Sequence, residues 1–326
     1  MAVPTNTYTR YTASNNVRED LADFIASKDP EKTPIISSAG RHKAMQTLHE
    51  WSRDGLRAPN ADNAAIDGDD ATNSAKTPPQ RVGNYCQIFQ DTVQVSGRAE
   101  KVDKAGMKSV LAYQKAKMYK ELMRDMEKAT VSSNIAVLGS GAAAAKMAGL
   151  GVLLYTNANH GVGGSTVAHT SGVATVAPTA GTPRALTEAI YKATLQTTYT
   201  TSGDVPNAVY FSPAQKVVAS GFTGIAGIRA DVKGQNQATI VGAADVYVSD
   251  FGNISVVPNR FQRDRDALLL DPSFISIDYL RPFKTELMAK TGDAEKRMIL
   301  AEWGLRVKNE KALGGIFDLT TTGSPT

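Results

Sequence analysis

The stretch from Asp103 to Thr130, DKAGMKSVLAYQKAKMYKELMRDMEKAT, is the longest uninterrupted helical signal in the chain, and it limits what the remainder can be. Apolar side chains recur at Met107, Val110, Leu111, Met118, Leu122, Met126 and Ala129, spacings that place them on one face of a 3.6-period helix. Lys115, Lys117, Lys120, Glu121, Arg124, Glu127 and Lys128 mostly fill the other side. Asp103 is the expected N-cap, and no proline interrupts the run. Such a helix is roughly 40 Å long at about 1.5 Å per residue, so a long, flat partner must lie against it.

A candidate partner comes late in the chain. Ile299, Ala301, Trp303, Leu305 and Val307 alternate with Glu302, Gly304, Arg306 and Lys308, the period-2 pattern of a half-buried strand. Ala267–Leu270, Phe274–Leu280 and Phe283–Met288 read as further strands, and Thr291-Gly292-Asp293 as the turn before Arg297–Lys308. Between the long helix and this region, Thr182 and Pro183 suggest a helix start, with Leu186, Ile190 and Ala193 as its stripe. Ala208–Phe211 reads as a strand, Pro213 to about Ser220 as a helix, and 245–249 with 254–258 as a hairpin. The segment 156–181 reads as loop with short strand and 221–238 as Gly-rich loop.

Ahead of the helix the chain is thinner. Residues 1–43 hold one short amphipathic piece, Val17–Ala26, and too few apolar residues to close a core, so they read as an arm. Residues 44–56 and 82–96 read as two strands joined by a polar loop, 57–80, rich in Asn, Asp, Ala, Gly and Pro. In the second strand Tyr85, Gln87, Phe89, Asp91, Val93 and Val95 share one face. An isolated two-stranded arm is marginal in water and needs a surface to lie on, and a neighbouring copy is the expected one.

Composition narrows the function classes. The 326 residues are 42% hydrophobic and 21% charged, ordinary for a chain that buries a core, and the net charge of +4 does not argue for sequence-specific reading of nucleic acid. The single cysteine, Cys86, rules out an internal disulfide. The first residues lack the apolar core of a signal peptide, and the one span-like segment, 135–155, is broken by Lys146 and several glycines, so no membrane partner is expected.

Chemical motifs are weak throughout. Gly139-Ser140-Gly141 and Gly161-Val162-Gly163-Gly164 lack the Gly-Lys-Ser/Thr ending of a phosphate loop. His42 and His49 with Glu50 lack zinc-helix spacing, His160 and His169 sit in loop, and Ser165 near His160 is not in a nucleophile elbow. Asp69–Asp70 and Asp264–Asp266 read as solvated loop charges, and Cys86 as an inert thiol. No catalytic, cofactor-binding or metal-binding residue is expected, and neither is an enzymatic activity.

Four stretches carry a family resemblance: NYCQIFQDTVQVSGRAEKVDKAGMKSVLAYQKAKMYKELMRDMEKA (84–129), KMAGLGVLLYTN (146–157), VYVSDFGNISVVPNRF (246–261) and MAKTGDAEKRMILAEWGLRVKNEKALGGIFDL (288–319), together about a third of the chain. In order and spacing they resemble the tailed-phage major capsid, or major head, proteins of the Hong Kong 97 fold. Residues 158–181 and 221–238 match no pattern of that family. The resemblance implies an α+β fold with an N-terminal arm (1–43), an extended loop (44–102), a peripheral domain with the spine helix (103–135), an axial domain (136–262) and a peripheral sheet with the C-terminus (263–326).

It further implies self-assembly into hexamers and pentamers of an icosahedral head, formed in a bacterial host's cytoplasm around double-stranded DNA that is held non-specifically. Portal, scaffolding and decoration proteins are implied as further partners. On this reading Trp51, Tyr85, Ile88, Phe89, Lys117, Glu121 and Arg124 are inter-subunit candidates, and Met107, Leu111, Met118, Leu122 and Met126 seat the spine. The alternatives are an encapsulin-type compartment shell, a decoration or head-fibre protein, and a soluble enzyme with an unrecognised site.

Overall fold

The strand alternation near the C-terminus organises the first of three sheets. The computed structural model describes residues 32–68, 70, 75–104, 106–169, 171–222 and 246–320. In chain order the elements are α1 (Pro34–Ser38), β1 (Gly40–Lys43), β2 (Leu48–Arg53), β3 (Gln80–Tyr85), β4 (Gln87–Ser96), α2 (Gly97–Lys101), α3 (Val110–Thr130) and α4 (Leu150–Leu153). Next come β5 (Ala158–Asn159), β6 (Gly172–Val173), α5 (Glu188–Ser202), β7 (Ala208–Phe211), α6 (Pro213–Ala219), β8 (Val246–Ser249) and β9 (Gly252–Pro258). The chain ends with β10 (Ala267–Leu270), β11 (Ile275–Leu287), β12 (Ala294–Val307) and β13 (Gly314–Ile316).

A four-stranded sheet runs β1-β11-β12-β4, with β1 parallel to β11 and the other neighbours antiparallel. Ile299, Ala301 and Trp303 of β12 are fully buried and Leu305 and Val307 nearly so, but Glu302 and Gly304 on the alternate face are buried as well, so the strand is covered on both sides there rather than half-buried. Phe89 of β4 stacks on Trp303 with ring centroids 5.5 Å apart, and Met118, Leu122 and Met126 of α3 join the same core. The spine helix therefore does seat on this sheet. Val93 and Val95 continue the inward face of β4, while Ile88 points outward and is half exposed.

The helix is shorter than its pattern. It begins at Val110, with Ser109 as N-cap, and its 21 residues span about 31 Å. Gly106 has φ +74°, a left-handed turn that ends any helix before it. The Glu100 carboxylate accepts the orphan N–H groups of Val110 and Leu111, and the Ser109 hydroxyl accepts that of Ala112. Asp103 therefore caps nothing in α3. Met107 lies outside the helix and Leu111 is only half-buried, so Met118, Leu122 and Met126 form its seat.

A six-stranded sheet runs β5-β13-β10-β7-β9-β8. Its central strands, AVYF and ALLL, are buried on both faces. Ala208, Tyr210, Leu268 and Leu270 face the first core, while Val209, Phe211, Ala267 and Leu269 face a second core under α5 and α6. The C-terminal strands are thus divided. β11 and β12 build the first sheet, whereas β10 and β13 belong to this one.

α5 starts at Glu188 behind the Thr187 cap, not at Thr182. Residues 183–185 are occupied elsewhere, because Arg184 N–H donates to Asp318 O and Thr320 N–H donates to Arg184 O. Its buried stripe is Tyr191, Thr194, Leu195 and Thr198, and Ala193 is exposed. Gly203, at φ +78°, closes the helix in the left-handed conformation that glycine tolerates. The expected strand at Ala208, the helix at Pro213 and the β8–β9 hairpin are all present.

The N-terminal stretch also divides. Residues 34–43 are built into the body, with Ile35 and Ile36 buried in the first core and β1 as an edge strand. Val17–Ala26 and most of 221–238 lie outside the described residues.

Candidate inter-subunit surfaces

The third sheet carries the thin part of the molecule. β2 and β3 form an antiparallel hairpin from Leu48 opposite Tyr85 to Arg53 opposite Gln80, and β3 also pairs with β6. The segment expected to be one strand, 82–96, is broken at Cys86. Its second part, β4, pairs with β12 along its whole length, from Gln87 opposite Trp303 to Ser96 opposite Ala294. β2 and β3 carry the segment 54–79, and β3 itself is built into the body, with Val82 and Asn84 buried and the Asn84 amide donating to Ala148 O and Leu305 O.

Alternate residues of β2 hold the base of that hairpin down. His49 Nε2 lies 2.6 Å from the fully buried Asp278 carboxylate, which Arg306 also reaches at 2.9 Å. Two residues on, Trp51 is half-buried, and two further on Arg53 pairs with the buried Glu310 at 2.8 Å. Arg53 also donates to the Tyr155 hydroxyl, and Thr156 donates to Glu310 at 2.7 Å. Burial and the Glu310 charge hold the Tyr155 phenol above its ordinary pKa, and burial holds the His169 imidazole below its own. The base of the hairpin therefore rests on its own chain, which the polar sequence of the arm did not suggest.

Beyond Arg53 the picture reverses. Every described residue from 54 to 80 is exposed, including Leu56 at 101% and Ile66 at 77%. Residues 54–79 carry five aspartates, at 54, 62, 67, 69 and 70, against Arg57 and Lys76, a net charge of −3. At the far end of the first sheet the charge has the opposite sign. There the β11–β12 turn lies beside α2, with Gly97 N–H donating to Asp293 O at 3.0 Å. Residues 97–108 and 288–297 together hold seven lysines and arginines against Glu100, Asp103, Asp293 and Glu295, a net charge of +3.

The other inter-subunit candidates lie on the body. Tyr85 is half-buried against the first core and Phe89 is within it, so both are occupied by their own chain. Lys117 and Glu121 form an exposed i,i+4 pair at 3.6 Å, and Arg124 lies over the Phe261 ring. Pairs of that exposed kind contribute only a few tenths of a kcal/mol.

Two features escaped the sequence reading. Glu127 sits on the charged side of the helical pattern, yet it is fully buried. Its carboxylate accepts Ile35 N–H at 3.1 Å, Ile36 N–H at 3.0 Å and the Asn259 amide at 2.6 Å, tying the N-terminal segment and the end of β9 to the spine. Burial outweighs these donors and raises its pKa. Asp266, expected to be solvated, is 2% exposed beside Arg263, and burial pushes its pKa up to about 6.

The motif candidates have structural uses. Gly161, Gly164 and Gly181 approach so closely that a Cβ on Gly161 would lie 2.1 Å from Thr182 O. Asp318 accepts from Gly161 N–H and faces His160 Nδ1 at 3.0 Å, and Nε2 of that ring meets the Thr166 hydroxyl at 2.7 Å. The imidazole is enclosed and stacked on Phe317, closing a loop rather than facing a cleft. Ser165 instead pairs through its backbone with Thr179. Burial pushes the Cys86 thiol up to about 12, which makes it unreactive. Among the described residues no cluster of three metal-ligating side chains exists, and no helix is long and apolar enough to cross a membrane.

Known proteins share this arrangement. The chain is 28% identical to the major capsid protein of Escherichia phage Phieco32, over 93% of this chain and 94% of that one. The capsid asymmetric unit of cyanophage A-1(L) superposes with a TM-score of 0.67 at 14% identity, covering 97% of this chain and 100% of the other. The capsid of a native GTA particle superposes with a TM-score of 0.61 at 10% identity, with the same coverage. The architecture is the α+β Hong Kong 97-type capsid fold. A family model spanning residues 3–320 makes the assignment direct: the chain belongs to the SU10 major capsid protein family.

Proposed function

We propose that this major capsid protein closes into an icosahedral shell of hexamers and pentamers by laying its hairpin tip and N-terminal arm over neighbouring copies. The observation that carries this reading is the contrast along one hairpin, whose base is held to its own body through His49–Asp278 and Arg53–Glu310 and whose described tip residues between 54 and 79 are all exposed. A polar, thin projection adds little to the stability of a lone subunit. Repeated around a shell, many modest contacts act together and far exceed any one interface.

In this reading the first sheet with α3 is the peripheral body and the second sheet with α5 and α6 is the axial body. The hairpin is the extended loop. The shell would be a virion component assembled in the host cytoplasm, with portal, scaffolding and decoration proteins as further partners. Packaged double-stranded DNA would be held without sequence preference, and its retention should weaken as salt rises. The test of the tip is a deletion. Replacing 57–78 by a short Gly/Ser linker leaves β2, β3 and the His49–Asp278 and Arg53–Glu310 contacts in place. The variant should be folded and soluble, yet electron microscopy should find no closed shells. Shells at wild-type yield would refute the role of the tip.

A further inference from the structure

We infer that His169 is an acid-sensitive catch for the hairpin: its neutral ring closes the site that holds Arg53 to the body, and a proton on that ring opens it. The device itself is local to one subunit; only its consequence for how subunits meet rests on the shell reading.

Geometry carries the inference. Arg53 is the last residue of β2 and pairs at 2.8 Å with Glu310, which is almost fully buried. Its guanidinium lies over the Tyr155 ring, 5.4 Å from the centroid, and donates to the His169 carbonyl at 3.4 Å. The His169 ring meets Tyr155 edge-on, with centroids 4.5 Å apart. It completes a small pocket with Trp51, Arg53, Val82, Leu153, Val307 and Glu310. Arg53 and Glu310 are the charged groups in those walls, and the Tyr155 phenol is the other titratable neighbour.

The charges balance only while the ring is neutral. One cation then meets one carboxylate, and Tyr155 keeps its proton because burial and the Glu310 charge hold it above its ordinary range. A proton on His169 adds a second cation beside Arg53, and Glu310 cannot neutralise both. Free space in the pocket is about 10 Å³, room for a single water, so hydration offers little relief. His169 Nδ1 is buried without a hydrogen-bond partner among the described residues, and a proton placed there has no acceptor. His49 differs, since its Nε2 lies directly against the Asp278 carboxylate, which Arg306 shares.

The direction in pH follows from burial. Burial outweighs the Val167 hydrogen bond and the Glu310 charge, both of which favour the charged ring, and Arg53 adds to it. The enclosed ring is therefore held below its ordinary value of 6.5, whereas a released ring takes its proton near that value. Closure of the base is undiminished above that pH and weakens as pH falls below it.

Hydrogen exchange of the full chain as unassembled subunits, between about pH 7.5 and 5, tests this. Protection factors in β2 and β3, taken relative to β12 of the same molecule, should fall by about tenfold in acid. In His169→Gln and His169→Phe they should hardly change. Glutamine keeps a polar group and phenylalanine keeps a ring beside Tyr155, and neither takes a proton, so the comparison survives if one of them disturbs the loop. No fall in the wild-type chain would overturn the inference. An equal fall in both variants would place the sensor elsewhere and overturn it too. Neither result bears on the shell reading, which stands or falls with the tip deletion.

Discussion

Replacing Glu127 tests how the spine helix holds the N-terminal segment. Its buried carboxylate serves three donors, Ile35 N–H, Ile36 N–H and the Asn259 amide, and no cation among the described residues. Glu127→Ala leaves all three without an acceptor. At about 1–3 kcal/mol for each orphaned donor, tempered by water entering the gap, a loss of about 4 kcal/mol is expected. Glu127→Gln keeps the shape and one carbonyl, which continues to serve Ile35 and Asn259 because both bond the same oxygen. Its NH₂ then faces Ile36 N–H, donor against donor. That loss is offset in part because no charge is buried any longer, so about 2 kcal/mol is expected.

The pH dependence separates the two effects. Burial raises the folded-state pKa of Glu127, so the folded protein holds a proton over a window in which the unfolded chain has released it. The contribution of this residue to stability therefore declines as pH rises from the ordinary glutamate value through the raised one. Glu127→Gln lacks that slope. Urea unfolding of the unassembled subunit gives the magnitudes, and hydrogen exchange at the Ile35 and Ile36 amides localises them. Variants within about 1 kcal/mol of wild type, with those amides still protected, would refute the reasoning.

Two further outcomes arise from buried charge. Asp266, with a pKa pushed from 3.8 to about 6, carries a proton in the folded state that the unfolded chain loses near pH 4. Stability should therefore fall by about 3 kcal/mol as pH rises across that window, and Asp266→Asn should flatten the fall, measured as urea midpoints between about pH 4 and 7.5. An unchanged pH profile would contradict the assignment. Arg53→Met leaves the buried Glu310 without its cation and should cost about 3–5 kcal/mol, appearing as faster exchange in β2 and β3. Adding Glu310→Gln should recover much of that loss, and no recovery would mean that the ion pair is not what holds the hairpin.

Much of the fold was legible because local pattern and tertiary environment agree. β12 alternates since one face meets α3, and AVYF and ALLL are continuous since both of their faces are covered. The helix starts were misread where distant contacts intervene. Gly106 and the Glu100 carboxylate move the start of α3 to Ser109, and pairing of 183–185 with the C-terminal segment displaces α5 to Thr187. Ser109 was a visible signal, a capping serine three residues after a glycine.

The hairpin shows the same division. Its exposed tip was readable from composition, since a segment of Asp, Asn, Ala, Gly and Pro has nothing to bury. The polar contacts at its base were not, because Asp278 and Glu310 are more than two hundred residues from His49 and Arg53. Glu127 looked like surface charge for a related reason. Its partners come from α1 and the end of β9, and no periodicity within α3 reveals them.

A subunit whose described tip residues are all exposed should complete itself with copies of the same chain. Electron microscopy of the purified chain, over a concentration series, measures this directly. Closed particles bounded by rings of five and six subunits, each tip resting on a neighbour, are the predicted result. Single subunits at every concentration, with residues 54–79 packed against their own β12, would contradict it.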